Sequence, residues 1–233
     1  MKTVILAGGL GTRISEETHT KPKPMITIGG MPIIWHIMKI YSSYGINDFI
    51  ICSGYKDNII KNYFEEFNSE SWDIKTIDTG LKTNTGGRIK RIEKYIENET
   101  FCLSYGDDLK KVNISNLIDF HKKRKKFATM TVTKPIPRFG IVEIDENSVI
   151  DIKEKSRDSE KWINGGYFVL ESNIFDFIKG DETVWEKEPL KKLVSIEQLS
   201  AFKYEDEYYP MDTLYDKNKL EDLWKANKAY WKI

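Results

Sequence analysis

A chain of 233 residues can bury one substantial core. Its 36 lysines and arginines equal its 36 aspartates and glutamates, which excludes the charge excess that would draw it to nucleic acid or to an acidic membrane surface and leaves small molecules as the expected partners. The first apolar run is too short for a secretory leader and no later run reaches bilayer length, so a cytoplasmic protein without membrane segments is expected.

The first element is a continuous apolar strand, Lys2 to Ala7, of the kind found in a parallel sheet, and it runs into a glycine loop. Pro32 to Tyr44 reads as an amphipathic helix, with apolar Ile33, Ile37, Met38 and Tyr41, a proline in the first turn and Gly45 as a stop. Strand Asp48 to Gly54, helix Asn58 to Phe67 and strand Trp72 to Asp78 follow, then helix Arg88 to Ile96, strand Phe101 to Asp107 and helix Ile114 to Lys125. The basic stretch Lys122 to Lys126 reads as a solvated face. Cys52 and Cys102 lie inside two of the apolar strands, without metal spacing, as buried free thiols.

From Ala128 the texture changes to shorter runs: Thr129 to Lys134, Gly140 to Ile144, Val149 to Lys153 and Trp162 to Leu170. Helices near Ile174 to Ile178 and Pro189 to Val194, a strand near Ala201 to Tyr204 and a closing helix from Thr213 to Asn227 complete the pattern. Neither repeat nor linker divides the chain. One α/β domain over residues 1–233 is expected, with an open, mostly parallel, Rossmann-like mixed sheet that presents ligands at the C-terminal ends of its strands.

The segment Leu6-Ala7-Gly8-Gly9-Leu10-Gly11-Thr12-Arg13 sets three glycines after a strand, where backbone N–H groups can approach phosphate oxygens closely. It lacks the third glycine of a dinucleotide-binding loop and the Gly-Lys-Ser/Thr ending of a Walker A loop. Taken alone, it serves a strand-to-helix turn as readily as a phosphate. Lys21-Pro22-Lys23-Pro24-Met25 strengthens the second use. Prolines on both sides restrict the backbone around Lys23, and Arg13 and Lys23 flanking one loop form a pair of cations suited to a polyphosphate.

Gly8-Gly9-Leu10-Gly11-Thr12-Arg13 followed by Pro22-Lys23-Pro24-Met25 resembles the signature of the sugar-phosphate nucleotidyltransferases. Trp35-His36-Ile37-Met38-Lys39, Gly54-Tyr55-Lys56, Asp78-Thr79-Gly80, Thr85-Gly86-Gly87-Arg88, Tyr105-Gly106-Asp107, Arg138-Phe139-Gly140 and Asn164-Gly165-Gly166 continue the likeness. The segments Trp185-Glu186 with Glu188-Pro189-Leu190, and Pro210-Met211-Asp212-Thr213-Leu214, resemble the glucose-1-phosphate cytidylyltransferase branch. The resemblance implies transfer of CMP from CTP to a sugar 1-phosphate, with glucose 1-phosphate as the first candidate, for surface polysaccharide precursors.

It also implies a division of labour. A nucleotide-binding part, about residues 1–127, would hold CTP through Leu6, Ala7, Gly8, Gly9, Gly11, Thr12, Arg13, Lys23, Thr85, Arg88 and Gly106, with Arg13 and Lys23 as the catalytic cations. A small β-rich acceptor-binding part, about 128–233, would use Glu154, Lys155, Asn164, Gly165, Gly166 and Glu188. Asp107 and Asp212 would hold Mg2+, and a homo-oligomer is implied. An acid at a strand end is otherwise most often a turn or cap residue.

A phosphate monoester with a second pKa near ~6 is already a nucleophilic anion at neutral pH, so the attack on the α-phosphorus needs no general base, and none of the three histidines is assigned one. The chain departs from the branch in three places: a shorter segment between Phe64 and Asp78, Asp108 where glycine is usual, and Ser156 where proline is usual. Another phosphorylated sugar or polyol, another nucleoside triphosphate, or a non-catalytic nucleotide-binding regulatory subunit remain the alternatives.

Overall fold

The computed structural model describes residues 1–67, 70–135, 141–153, 161–206 and 208–233. In chain order the first elements are β1 (Thr3–Leu6), α1 (Ser15–Thr18), β2 (Thr27–Ile28), β3 (Met31–Pro32), α2 (Ile33–Ser42), β4 (Asp48–Ser53), α3 (Asp57–Glu66) and β5 (Asp73–Asp78). Next come α4 (Thr85–Arg91), β6 (Phe101–Tyr105), β7 (Asp108–Leu109), α5 (Ile114–Arg124), β8 (Ala128–Thr133), β9 (Ile141–Asp145) and β10 (Ser148–Lys153). The chain closes with β11 (Ile163–Leu170), α6 (Glu188–Ser195), β12 (Leu199–Tyr204), β13 (Tyr209–Pro210) and α7 (Leu214–Lys225).

Seven strands form one sheet in the order β12-β8-β11-β6-β1-β4-β5. β1 pairs in parallel with both β4 and β6, β5 with β4, and β12 with β8, while β11 runs antiparallel to β6 and β8. The expected α/β fold with a mostly parallel mixed sheet is what the chain adopts, and the sheet extends unbroken across both parts of the sequence.

Successive strand residues face opposite cores, as a pleated strand covered on both sides requires. On β1, Ile5 joins a cluster with Ile37, Tyr41 and Phe49, whereas Val4 joins one with Ile50, Phe101 and Trp185. Cys52 and Cys102 are fully buried free thiols, and burial pushes both up to about 12. Among the described residues no helix is long and apolar enough to cross a membrane.

Several expectations are adjusted. The helix expected at Arg88 begins at Thr85, so Gly86 and Gly87 are helical; a Cβ on either would meet the backbone of Thr183 or Asp181 at 2.7 and 2.5 Å. Close packing against that loop, not helix propensity, selects glycine there. The helix expected near Ile174 is a 3-10 turn, Ser172–Phe177. β9 and β10 pair with each other as a separate hairpin instead of joining the sheet, and the Gly140 end of the first lies outside the described residues. β7 and β13, unforeseen, pair antiparallel, Asp108 with Pro210 and Leu109 with Tyr209.

Candidate active site

β1 ends at Leu6, and the chain turns back over the C-terminal ends of its neighbours β4 and β6. Gly11 holds φ at +65°, a left-handed conformation that favours glycine, and a Cβ there would lie 2.7 Å from Thr18 Cγ2. Gly106, after β6, donates its N–H to Leu6 O at 3.0 Å, and its own Cβ would meet that oxygen at 2.8 Å. The two strand ends therefore touch backbone to backbone.

Arg88 supports the loop from inside. Its Nη1 donates to Ser53 O, Thr79 Oγ1 and Gly80 O at 3.0, 2.7 and 2.8 Å, and its Nη2 donates to Gly8 O at 2.9 Å. Burial lowers its pKa from the usual arginine value. With Nη1 and Nη2 both donating to protein oxygens, Arg88 shapes the glycine loop from behind, a role its sequence position did not announce.

Lys23 sits in a 3-10 turn, Lys23–Met25, between Pro22 and Pro24. Its Nζ donates to Asp107 Oδ2 at 2.5 Å and to Asp212 Oδ1 at 2.9 Å, and Arg13 Nη1 donates to Asp212 Oδ2 at 2.7 Å. Burial pulls the Lys23 pKa down, but Asp107 and then Asp212 outweigh it and hold the ammonium above its ordinary value. Asp107 follows β6, and Asp212 follows β13; the β7–β13 pairing and the Met211 N–H donating to Asp107 O at 3.2 Å bring these distant segments together.

Arg13, Lys23 and Asp107 line a cleft of about 470 Å³, with Asp212 bonded to the first two from outside its lining. Leu6, Ala7, Gly8, Gly9, Gly11 and Thr12 form one wall, with Arg13 and Lys23 beside them. Thr85 and Arg88 of α4, and Gly106 and Asp107 after β6, form the other sides. The cleft thus gathers the whole nucleotide-binding set expected from the sequence. Tyr105, Thr83, Asn84 and Glu186, not singled out for the site beforehand, also line it.

Asn164, Gly165 and Gly166 lie on β11 where its register with β8 is interrupted. Asn164 Nδ2 donates to Tyr105 OH at 3.0 Å, which links this strand to the cleft wall. Gly166 has φ +77°, and a Cβ would fall 2.9 Å from Tyr105 Cδ2. Glu154 and Lys155 lie outside the described residues. Glu188 does not reach the cleft: it opens α6, its side chain is 78% exposed, and it faces Lys179 at 3.9 Å over a separate depression. The acid of this motif that lines the cleft is Glu186, whose Oε1 accepts from Tyr105 OH at 2.5 Å.

Asp107 and Asp212 fit a hard divalent cation. Both carboxylates already converge on one positive charge, the Lys23 ammonium. Among the described residues there is no ready-made cluster of three acidic, histidine or cysteine ligands. Two carboxylates completed by phosphate oxygens and water are the usual arrangement for magnesium at a nucleotide.

The family model described as Nucleotidyl transferase matches residues 2–232. The chain belongs to that family. Two relatives of this nucleotidyltransferase, named glucose-1-phosphate cytidylyltransferase in Salmonella typhi and in Salmonella typhimurium, are each 46% identical over 254 residues, covering 100% of this chain and 99% of theirs. The alignment is longer than the 233 residues of this chain, so part of the relatives' length falls opposite gaps in it. Among solved structures, HddC of Yersinia pseudotuberculosis complexed with GMP-PN superposes with a TM-score of 0.76 at 26% identity, covering 96% of this chain and 99% of that one.

Proposed function

We propose that this nucleotidyltransferase transfers CMP from CTP to glucose 1-phosphate, releasing pyrophosphate and forming CDP-glucose, a precursor of the surface-polysaccharide type, with Mg2+ as its metal. The observation that carries the reading is the convergence of Lys23, Asp107, Asp212 and Arg13 at the mouth of a glycine loop. The full-length similarity to the two Salmonella enzymes supports cytosine and glucose 1-phosphate.

The chemistry asks for charge control more than for proton transfer. The acceptor phosphate arrives ionised, so the barrier lies in bringing two anions together and in the charge that develops on the departing pyrophosphate. Amides of Gly8, Gly9 and Gly11 offer small, unobstructed donors to the triphosphate, while Arg13 and Lys23 supply cations beside it. Bound by Asp107 and Asp212, the metal would neutralise phosphate oxygens as the charge grows. Lys23 is held protonated by the two carboxylates and serves as a fixed positive group, not as a base. Burial and the neighbouring Glu186 push the Tyr105 phenol far above its usual range, so it too remains a hydrogen-bond donor.

In this reading the protein works in the cytoplasm, where CTP is available, and as a homo-oligomer. The exposed apolar side chains of Val142, Ile144, Val149 and Ile152 on the β9–β10 hairpin support the oligomer, since such a patch is normally covered. Sedimentation at several concentrations tests that part.

The decisive experiment incubates the protein with each of CTP, UTP, GTP, ATP and dTTP against glucose 1-phosphate and a set of other phosphorylated sugars and polyols, following pyrophosphate. Fastest release with CTP and glucose 1-phosphate, dependent on Mg2+, is expected. Another preferred pair would replace the substrates, and nucleotide binding without any release would assign a regulatory subunit.

A further inference from the structure

The carboxylate of Glu186 is held from both sides. Tyr105 OH donates to Oε1 at 2.5 Å and Thr85 Oγ1 donates to Oε2 at 2.6 Å. Both donors are themselves fixed. The Trp185 N–H donates to Thr85 Oγ1 at 2.9 Å, and Asn164 Nδ2 donates to Tyr105 OH at 3.0 Å. Asn164 Oδ1 in turn accepts from the Gly166 N–H at 2.9 Å. One chain of hydrogen bonds therefore runs from β11 along the cleft wall to the first residue of α4.

A carboxylate only accepts, and its two oxygens offer about four lone-pair sites, of which the hydroxyls of Tyr105 and Thr85 take two. Glu186 lines the cleft, so its remaining acceptor capacity faces the substrates. A fixed negative charge there repels phosphate groups, which the cations Arg13 and Lys23 attract, and it rewards neutral hydroxyl donors. Two oxygens clamped side by side suit hydroxyls on a sugar ring. The network joins Thr85, at the start of α4, to the Asn164-Gly165-Gly166 strand expected to hold the acceptor, and it is the Asn164 end that favours the acceptor's ring over the ribose of the nucleotide.

We propose that Glu186 is a specificity-determining residue that accepts hydrogen bonds from ring hydroxyls of the acceptor, with Tyr105, Thr85 and Asn164 as its positioning residues. The assignment rests on the reading that the acceptor is a phosphorylated sugar. It gives the cleft a phosphate end and a hydroxyl end, and so a means to reject phosphorylated acceptors that lack hydroxyls at the matching positions.

The test compares glucose 1-phosphate with its 2-, 3-, 4- and 6-deoxy analogues in wild type, Glu186→Gln and Tyr105→Phe, each checked for native circular dichroism. Wild type should lose roughly tenfold to a hundredfold in kcat/KM with at least one analogue, the range expected when a charged acceptor is left without its donor. Glu186→Gln should raise KM for glucose 1-phosphate about tenfold, abolish most of that discrimination, and leave KM for CTP within about twofold. Tyr105→Phe, which keeps the carboxylate but frees it, should erode the same discrimination part-way. Unchanged discrimination in Glu186→Gln overturns the proposal, as does a rise in KM for CTP alone, which would place the ribose there. Failure of the wild type to release pyrophosphate from CTP and glucose 1-phosphate would defeat the proposed function itself, a result separate from the other two.

Discussion

Arg88 and Gly8 share one space: Arg88 Nη2 donates to the Gly8 carbonyl at 2.9 Å, and a Cβ on Gly8 would fall 2.0 Å from Arg88 Nη1. The loop can lie over the guanidinium only because it has no side chain at that point. Arg88→Lys should therefore lower stability by about 2–3 kcal/mol, because an ammonium cannot span acceptors on three segments and leaves some of them buried and unpaired. KM for CTP should rise with it. Urea unfolding and initial rates measure both, and a variant with wild-type stability would show that the fork does not hold the loop.

Removal of the ammonium between the two carboxylates should be costly to catalysis. Lys23→Ala is expected to reduce kcat on the order of a hundredfold or more, as loss of a group that stabilises developing charge does. Asp107→Asn should abolish Mg2+-dependent pyrophosphate release while circular dichroism stays native. Turnover near wild type in the first, or an unchanged Mg2+ titration in the second, refutes these roles.

The same triad sets a pH dependence. Burial draws Lys23 down and the pair Asp107 and Asp212 more than compensates, so its pKa in the folded protein lies above the ordinary 10.5. A group raised on folding contributes stability that is complete below its unfolded pKa and disappears as pH climbs through its folded one. The difference in urea midpoint between wild type and Lys23→Met should hold constant from pH 7 to 9 and shrink only in stronger alkali. A difference that fades below pH 9 contradicts the arrangement.

Cys52 and Cys102 should resist alkylation in the native protein at pH 8. Burial holds both thiols at about 12, so almost no thiolate forms, and neither sulfur meets solvent. Mass spectrometry after iodoacetamide treatment should find both unmodified until urea unfolds the chain. Fast native labelling of either would show that its strand opens.

Much of this architecture can be read from the chain, and the exceptions have physical causes. The strands β1, β4 and β6 are apolar runs buried on both faces, a pattern strong enough to locate them unaided. Lys23 betrays itself through its flanking prolines. The start of α4 does not, because Gly86 and Gly87 oppose helix formation and are tolerated only by contact with Asp181 and Thr183. Pairings as short as β7 with β13 carry no periodicity. Glu186 and Glu188 sit two positions apart with the same chemistry, and only the tertiary partners Tyr105 and Thr85 on one side, Lys179 on the other, separate them. That Arg88 faces inward is likewise decided by acceptors from other segments.

The ladder that ties Asp108 and Leu109 to Tyr209 and Pro210 has a consequence during synthesis. Arg13 and Lys23 are synthesised 199 and 189 positions before their shared partner Asp212. A nascent chain can build β1, β4, β5 and β6 long before that carboxylate exists. Translation must therefore pass residue 212 before Arg13 and Lys23 can both meet that carboxylate, whereas Asp107, only 84 positions from Lys23, is present well before it.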